Sequence, residues 1–330
     1  MTEPLPQPPH QPPHQPAPAA STLDPARLDR ALVALGVALL SATVVMASFY
    51  SRAGEDLDKS NFVMGVAATL GLLGVALAAH VLVTDAVRKS ELVTWPGAFG
   101  AVGAGLLVAV LMDDHALTGY VAGALVVALS AAGYFLLVRR GAFVVSTIVG
   151  LLAVYLSAFD DVFDAGDLEG DNVGIILGAA VLVFALLVTV AGWFLPETRV
   201  LSAVVVGVIA VVSNAGVLAG LAITASFARA FGTFDGSDSP KAELEPYTND
   251  AWFMLVFSLL LVAGWAYLTY VTGHVGFPLL MAAMCASVIP LVTAVLGVDH
   301  PTWWEVVVGL LGGGVLLLAG ARAMGLRRPG

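Results

Sequence analysis

The chain is poor in charge, has one cysteine and lacks any connection between apolar runs large enough for a soluble domain, the longest running from about Phe227 to Asp250. Of 330 residues, 12% are charged and 59% hydrophobic, with a mean hydropathy of +0.92. A soluble domain carries about a quarter charged and about half apolar residues. No soluble fold of this length hides so much apolar surface, so lipid is the expected solvent. The lone Cys285 lies in an apolar run and excludes both a disulfide framework and a thiolate metal cluster. It reads as a small core residue. Lys, Arg, Asp and Glu are missing from the middle of every apolar stretch. That removes an intramembrane ion pair, a proton relay and a Schiff-base lysine. No Walker loop, dinucleotide fingerprint, nucleophile elbow, zinc-protease helix or basic nucleic-acid patch is present, so no enzymatic signature and no nucleic-acid partner are expected.

Apolar length is what the chain has in abundance. About ten segments approach the roughly 20 residues a bilayer crossing needs. They run near 28–50, 62–83, 95–112, 117–138, 143–159, 173–195, 200–226, 251–271, 277–298 and 303–323. Residues 1–26 form a Pro-, His- and Gln-rich tail with a doubled Gln-Pro-Pro-His unit, Gln7 to His10 and Gln11 to His14. Proline at this density favours polyproline II over packed structure, so a disordered tail is expected. It lacks a basic stretch ahead of an apolar one and is not expected to be a cleavable signal.

Basic residues concentrate on the cytoplasmic side of membrane proteins. With the N-terminus inside, ten of the 14 Lys and Arg residues fall on that side, and Arg52, Lys59, Arg229 and Lys241 on the other. An even span number, a plasma-membrane location and cytoplasmic N- and C-termini follow as expectations. The opposite face is acidic, which would concentrate cations there. It is equally what results when acidic residues carry no retention signal.

An internal match organises the chain. Leu106-Leu-Val-Ala-Val-Leu-Met-Asp-Asp-His115 returns as Leu291-Val-Thr-Ala-Val-Leu-Gly-Val-Asp-His300. Ala47-Ser-Phe-Tyr-Ser-Arg52 resembles Ala225-Ser-Phe-Ala-Arg229, spans two and eight both end in Val-Thr, and spans four and ten end in paired arginines. The offset of six spans is even, so the two copies point the same way through the membrane. The expected fold is an all-α polytopic integral membrane protein of about ten transmembrane helices. A parallel 4+4 duplication, 27–141 and 199–330, would surround a central two-span hairpin, 142–198.

Two candidate sites follow. Asp114, His115, Asp299 and His300 would lie at equivalent depths on the outer rim. There they would offer carboxylates and imidazoles to a divalent cation, with Asp113, Asp160 and Asp161 as further ligands. Helix capping accounts for the Asp residues alone, since an N-cap carboxylate accepts orphan amide protons. It leaves the repeated His unexplained. The acidic run 160–171 lacks the ligand spacing of an EF-hand. Asn214, beside Gly216 and Gly220, together with the Pro290 kink, marks a candidate substrate path through an interrupted helix. Interhelical hydrogen bonding is the simpler reading of Asn214. The expected function is a permease or channel-like protein for a small solute or cation. A non-catalytic scaffold or accessory subunit is the alternative, and an outward-facing metal-dependent enzyme is the most distant one. Expected partners are the lipid bilayer, other membrane proteins or further copies of the chain.

Overall fold

The computed structural model describes residues 25–52, 57–112, 116–163, 172–194, 197–231 and 240–296, with positions 306, 310, 313 and 314. The described residues are helical with no strands. In order they form α1 (Pro25–Tyr50), α2 (Lys59–Leu82), α3 (Ala86–Met112), α4 (Thr118–Ala132), α5 (Gly141–Phe163), α6 (Val173–Trp193), α7 (Arg199–Phe231), α8 (Pro240–Thr272) and α9 (Gly276–Leu296). A π-helical turn, Gly133–Leu137, continues α4. Among the described residues, nine helices are long and apolar enough to cross a membrane. The expected tenth span lies outside the described residues except at 306, 310, 313 and 314, which are helical.

The burial pattern is that of a chain dissolved in lipid. Bulky apolar side chains such as Leu39, Leu70, Leu136, Leu187 and Leu279 face outwards. The inside holds many small residues, including Ala68, Ala76, Ala101, Ala210 and Ala225. Lipid tails are as apolar as leucine, so burying leucine gains little here. Small residues win the interior because they let backbones approach and gain dispersion contacts. Gly97, Gly100 and Gly103 behave this way: a Cβ at each would meet Phe143, Leu73 and Thr69 respectively at 3.0 Å or less. Gly216 and Gly220 differ, for the space beside both is open among the described residues.

Successive helices alternate in direction. The first ends of α3, α5 and α7 therefore share one face, which carries Arg88, Lys89, Arg139, Arg140 and Arg199. The other face carries Asp58, Asp160, Asp161 and Asp250 with Arg52 and Lys59. Polar ties secure the helix ends there. Asp58 caps α2, accepting from the Ser60 amide at 2.8 Å and the Ser60 hydroxyl at 2.6 Å. The Ser60 hydroxyl bond foremost, with the amide bonds, holds the Asp58 carboxyl below the usual carboxylate range. Arg52 donates from Nε and an Nη to the Val110 carbonyl at 3.0 and 2.9 Å. It thereby satisfies an orphan acceptor at the negative end of α3.

Two sets of helices emerge from the contacts. Helices α1, α2 and α3 pack on one another, α4 packs on α3, and α5 lies chiefly against α4 and also against α3. On the other side α6, α7, α8 and α9 form a second set, in which α7, α8 and α9 all touch. The sets meet mainly where α5 lies against α7; α5 and α6 themselves touch only narrowly.

Candidate functional site

The narrow contact between α5 and α6 leaves a seam. Its larger part is a cavity of about 440 Å³, within the size range of small-molecule sites. Val144, Leu151 and Tyr155 of α5 form one wall and Phe184, Leu187 and Val188 of α6 the other. A second cavity of about 250 Å³ continues towards the acidic face, between Leu156 and Phe159 on one side and Leu177 and Ile209 on the other.

Tyr155 and Phe184 line both cavities and divide them. Their rings lie 5.2 Å apart, and the Tyr155 hydroxyl donates to the Ala180 carbonyl at 2.8 Å. Inside hydrocarbon an unmatched hydroxyl is costly, and this bond removes that cost while tying α5 to α6. At the basic face three hydroxyl residues, Thr147, Thr198 and Ser202, join an otherwise apolar lining. Arg199 stands beside that mouth with its guanidinium 5.8 Å from the centre of the Trp193 ring, a cation–π distance. Tyr155 is the one titratable group in the lining of either cavity. Such walls suit hydrocarbon and not a bare ion, which needs oxygen or charge to replace its water.

The predicted residues are distributed as follows. Asp113, Asp114, His115, Asp299 and His300 lie outside the described residues. Asp160 and Asp161 are exposed at the end of α5, and Asp161 accepts the Tyr120 hydroxyl at 2.8 Å, joining α4 to α5. Among the described residues no three His, Cys, Asp or Glu side chains gather as a metal ion would require. Asn214 is 0% exposed. It donates to the Ser258 hydroxyl at 3.4 Å and faces the Met284 sulfur at 4.0 Å, so it joins α7 to α8 and α9. Ser213, its neighbour, lines the smaller cavity. Pro290 sits on the exposed side of α9, and the structure does not bring it to Asn214.

Sequence reasoning missed two features. The seam has no motif, being made of ordinary aliphatic residues. Asp250 read as one more surface acid, yet it is 2% exposed and accepts the Gly174 amide at 2.8 Å at the start of α6. The carboxylate satisfies an orphan donor at the positive end of that helix. Gly174 is needed there, since a Cβ would sit 2.8 Å from the Asp250 side chain. A proline at position 240, the first residue of α8, was the available signal that the helix starts early and carries Asp250 within it. No protein-family model, no curated protein and no solved structure matches this chain.

Proposed function

We propose that the protein is a permease-like membrane protein whose working surface is the seam between its two helical sets. It would handle an apolar or amphiphilic molecule that enters from the bilayer. The observation that carries this reading is the apolar cavity of about 440 Å³ at the junction of the sets, with a hydroxyl-lined mouth at the basic face. Sites between helical bodies are where small rigid-body movements change access. Within the small solute or cation expected from sequence, the lining supports an amphiphile over a cation, because it offers no charge to a desolvated ion. A plasma-membrane location with both termini cytoplasmic belongs to the same proposal, on the bias of basic residues. So does the parallel 4+4 duplication, which is supported by the mutual packing of all three helices in α1–α3 and again in α7–α9.

Reconstitution tests it. Liposomes containing the purified chain are loaded with fluorescent amphiphiles, in parallel with sodium and potassium flux assays. The expected result is protein-dependent movement of one amphiphile class, abolished when Leu151→Trp and Ala191→Trp fill the cavity. Ion flux without amphiphile movement would overturn the reading.

One observation favours the scaffold alternative: the buried polar residue Asn214 is held in a packed three-helix contact instead of lining a cavity. Under that reading no probe moves and the filled-seam variant behaves as wild type.

A further inference from the structure

A further pocket of about 270 Å³, separate from the seam, opens on the basic face between the first turns of α3 and α5. Its lining differs in kind from the seam: Ser90, Glu91, Thr94 and Trp95 come from α3, and Arg140 with Gly141 from the start of α5. Three independent features point to a phosphate group. First, the Gly141 and Ala142 amides open α5, where the leading N–H groups have no helical acceptor and the dipole is positive. The first turn closes only from Phe143, whose amide donates to the Arg140 carbonyl at 3.2 Å. Second, Arg140 brings a guanidinium, whose planar fork matches phosphate oxygens. Third, Thr94 is 7% exposed and its buried hydroxyl has no hydrogen-bond partner. A buried hydroxyl left unmatched costs free energy that a ligand oxygen would recover.

The pocket also holds the opposite charge. Glu91 stands in the same lining beside the half-exposed ring of Trp95. A carboxylate next to an anion site repels a plain phosphate, but it pairs with an ammonium a few atoms away. An aromatic face adds cation–π attraction to that ammonium. Trp95 packs towards Phe99 at 6.4 Å, and Val87 is exposed on the same rim, so one wall of the pocket is apolar. A ligand with its charged end here thus has hydrocarbon within reach.

We propose that this pocket binds the headgroup of a zwitterionic phospholipid bearing a primary ammonium. Arg140 and the α5 amides hold the phosphate, Thr94 donates to it, and Glu91 accepts from the ammonium. The site is independent of the seam and stands whether or not the chain transports anything.

The test follows thermal unfolding of the detergent-purified full chain during titration with three probes. These are dioleoyl phosphatidylethanolamine, dioleoyl phosphatidylglycerol and soluble phosphoethanolamine. The ethanolamine lipid is expected to stabilise saturably and at lower concentration than the glycerol lipid. Arg140→Gln should weaken it by roughly tenfold to a hundredfold, the value of a charge-assisted hydrogen bond. Glu91→Gln should erase the preference between the two lipids, a change that a merely structural role would not produce. Thr94→Val keeps the side-chain shape and should weaken both lipids, so it serves if Arg140→Gln does not fold. Equal response to the two lipids in the wild type would overturn the proposal, as would unchanged affinity in Arg140→Gln or in Thr94→Val. An equal response to phosphoethanolamine would place the ligand in the aqueous phase and overturn the lipid assignment.

Discussion

At the scale of single residues, the positions that matter most are polar ones with one specific job in an apolar setting. Asp250 is the clearest case. Its carboxylate is buried against the Gly174 amide and joins α8 to the first turn of α6. Replacing it with alanine removes a charge-assisted bond and leaves a buried amide without its acceptor, at a cost of about 1.5–3 kcal/mol. The expected outcome is a clearly lower unfolding temperature for Asp250→Ala, with Asp250→Asn between it and the wild type. Urea or heat denaturation in one detergent checks it, and a wild-type-like Asp250→Ala would show that the contact contributes nothing. Asn214 is a weaker tie: interhelical bonds in membranes average about 0.6 kcal/mol, and its 3.4 Å distance to Ser258 is long.

Among the described helices, α4 and α5 approach each other closely, backbone to backbone. A Cβ at Gly150 would lie 2.8 Å from the Gly123 carbonyl, and one at Gly123 would lie 2.6 Å from the Gly150 carbonyl. Neither contact is with a flexible side chain, so the backbones must separate to admit even a methyl group. Gly150→Ala should therefore destabilise the chain by about 1–3 kcal/mol, the usual cost of overpacking. Gly216→Ala should be close to neutral, because the space beside it is open. Denaturation of the pair of variants checks this, and equal effects would refute it.

Helices of this kind are the part of the fold most legible in sequence. All nine described helices contain the centres of the expected spans, since continuous apolar length is a direct physical signal. The start of α3 differs: it begins at Ala86 and not near Trp95, because its first turns are polar and interfacial and carry no apolar run. The same blindness hid the extensions of α7 to Phe231 and of α8 back to Pro240. Which faces meet was not legible. Glycines such as Gly97 and Gly216 look alike in sequence, and only the neighbour supplied by the fold separates a packed face from an open one. The polar pocket was invisible for a related reason: Glu91 and Thr94 lie far in sequence from Arg140 and meet it only because α3 and α5 start on the same face.

For the whole molecule, the consequential fact is that the helices pack as two sets. Buried cores follow the same division. Ala79, Val93, Ala98 and Phe143 form one cluster, and a larger one draws almost all its buried members from α6 to α9, with Ile148 from α5. Between the sets stand the α5–α7 contact, the apolar seam and the Tyr155–Ala180 bond. Each set thus holds most of the contacts it needs within its own stretch of chain. Covalent continuity between them is then a convenience of synthesis and not a requirement of assembly. A gene split by removing the codons for residues 164–171 would yield two polypeptides, 1–163 and 172–330, to be made together in one cell. They are expected to insert separately, find each other in the bilayer and co-purify, and Tyr155→Phe should lower the yield of the pair. Recovery of neither fragment, or of both unassociated, would mean that the two sets cannot exist as partners. If the pair does form, the protein behaves as a dimer of unlike halves that happens to be written as one chain.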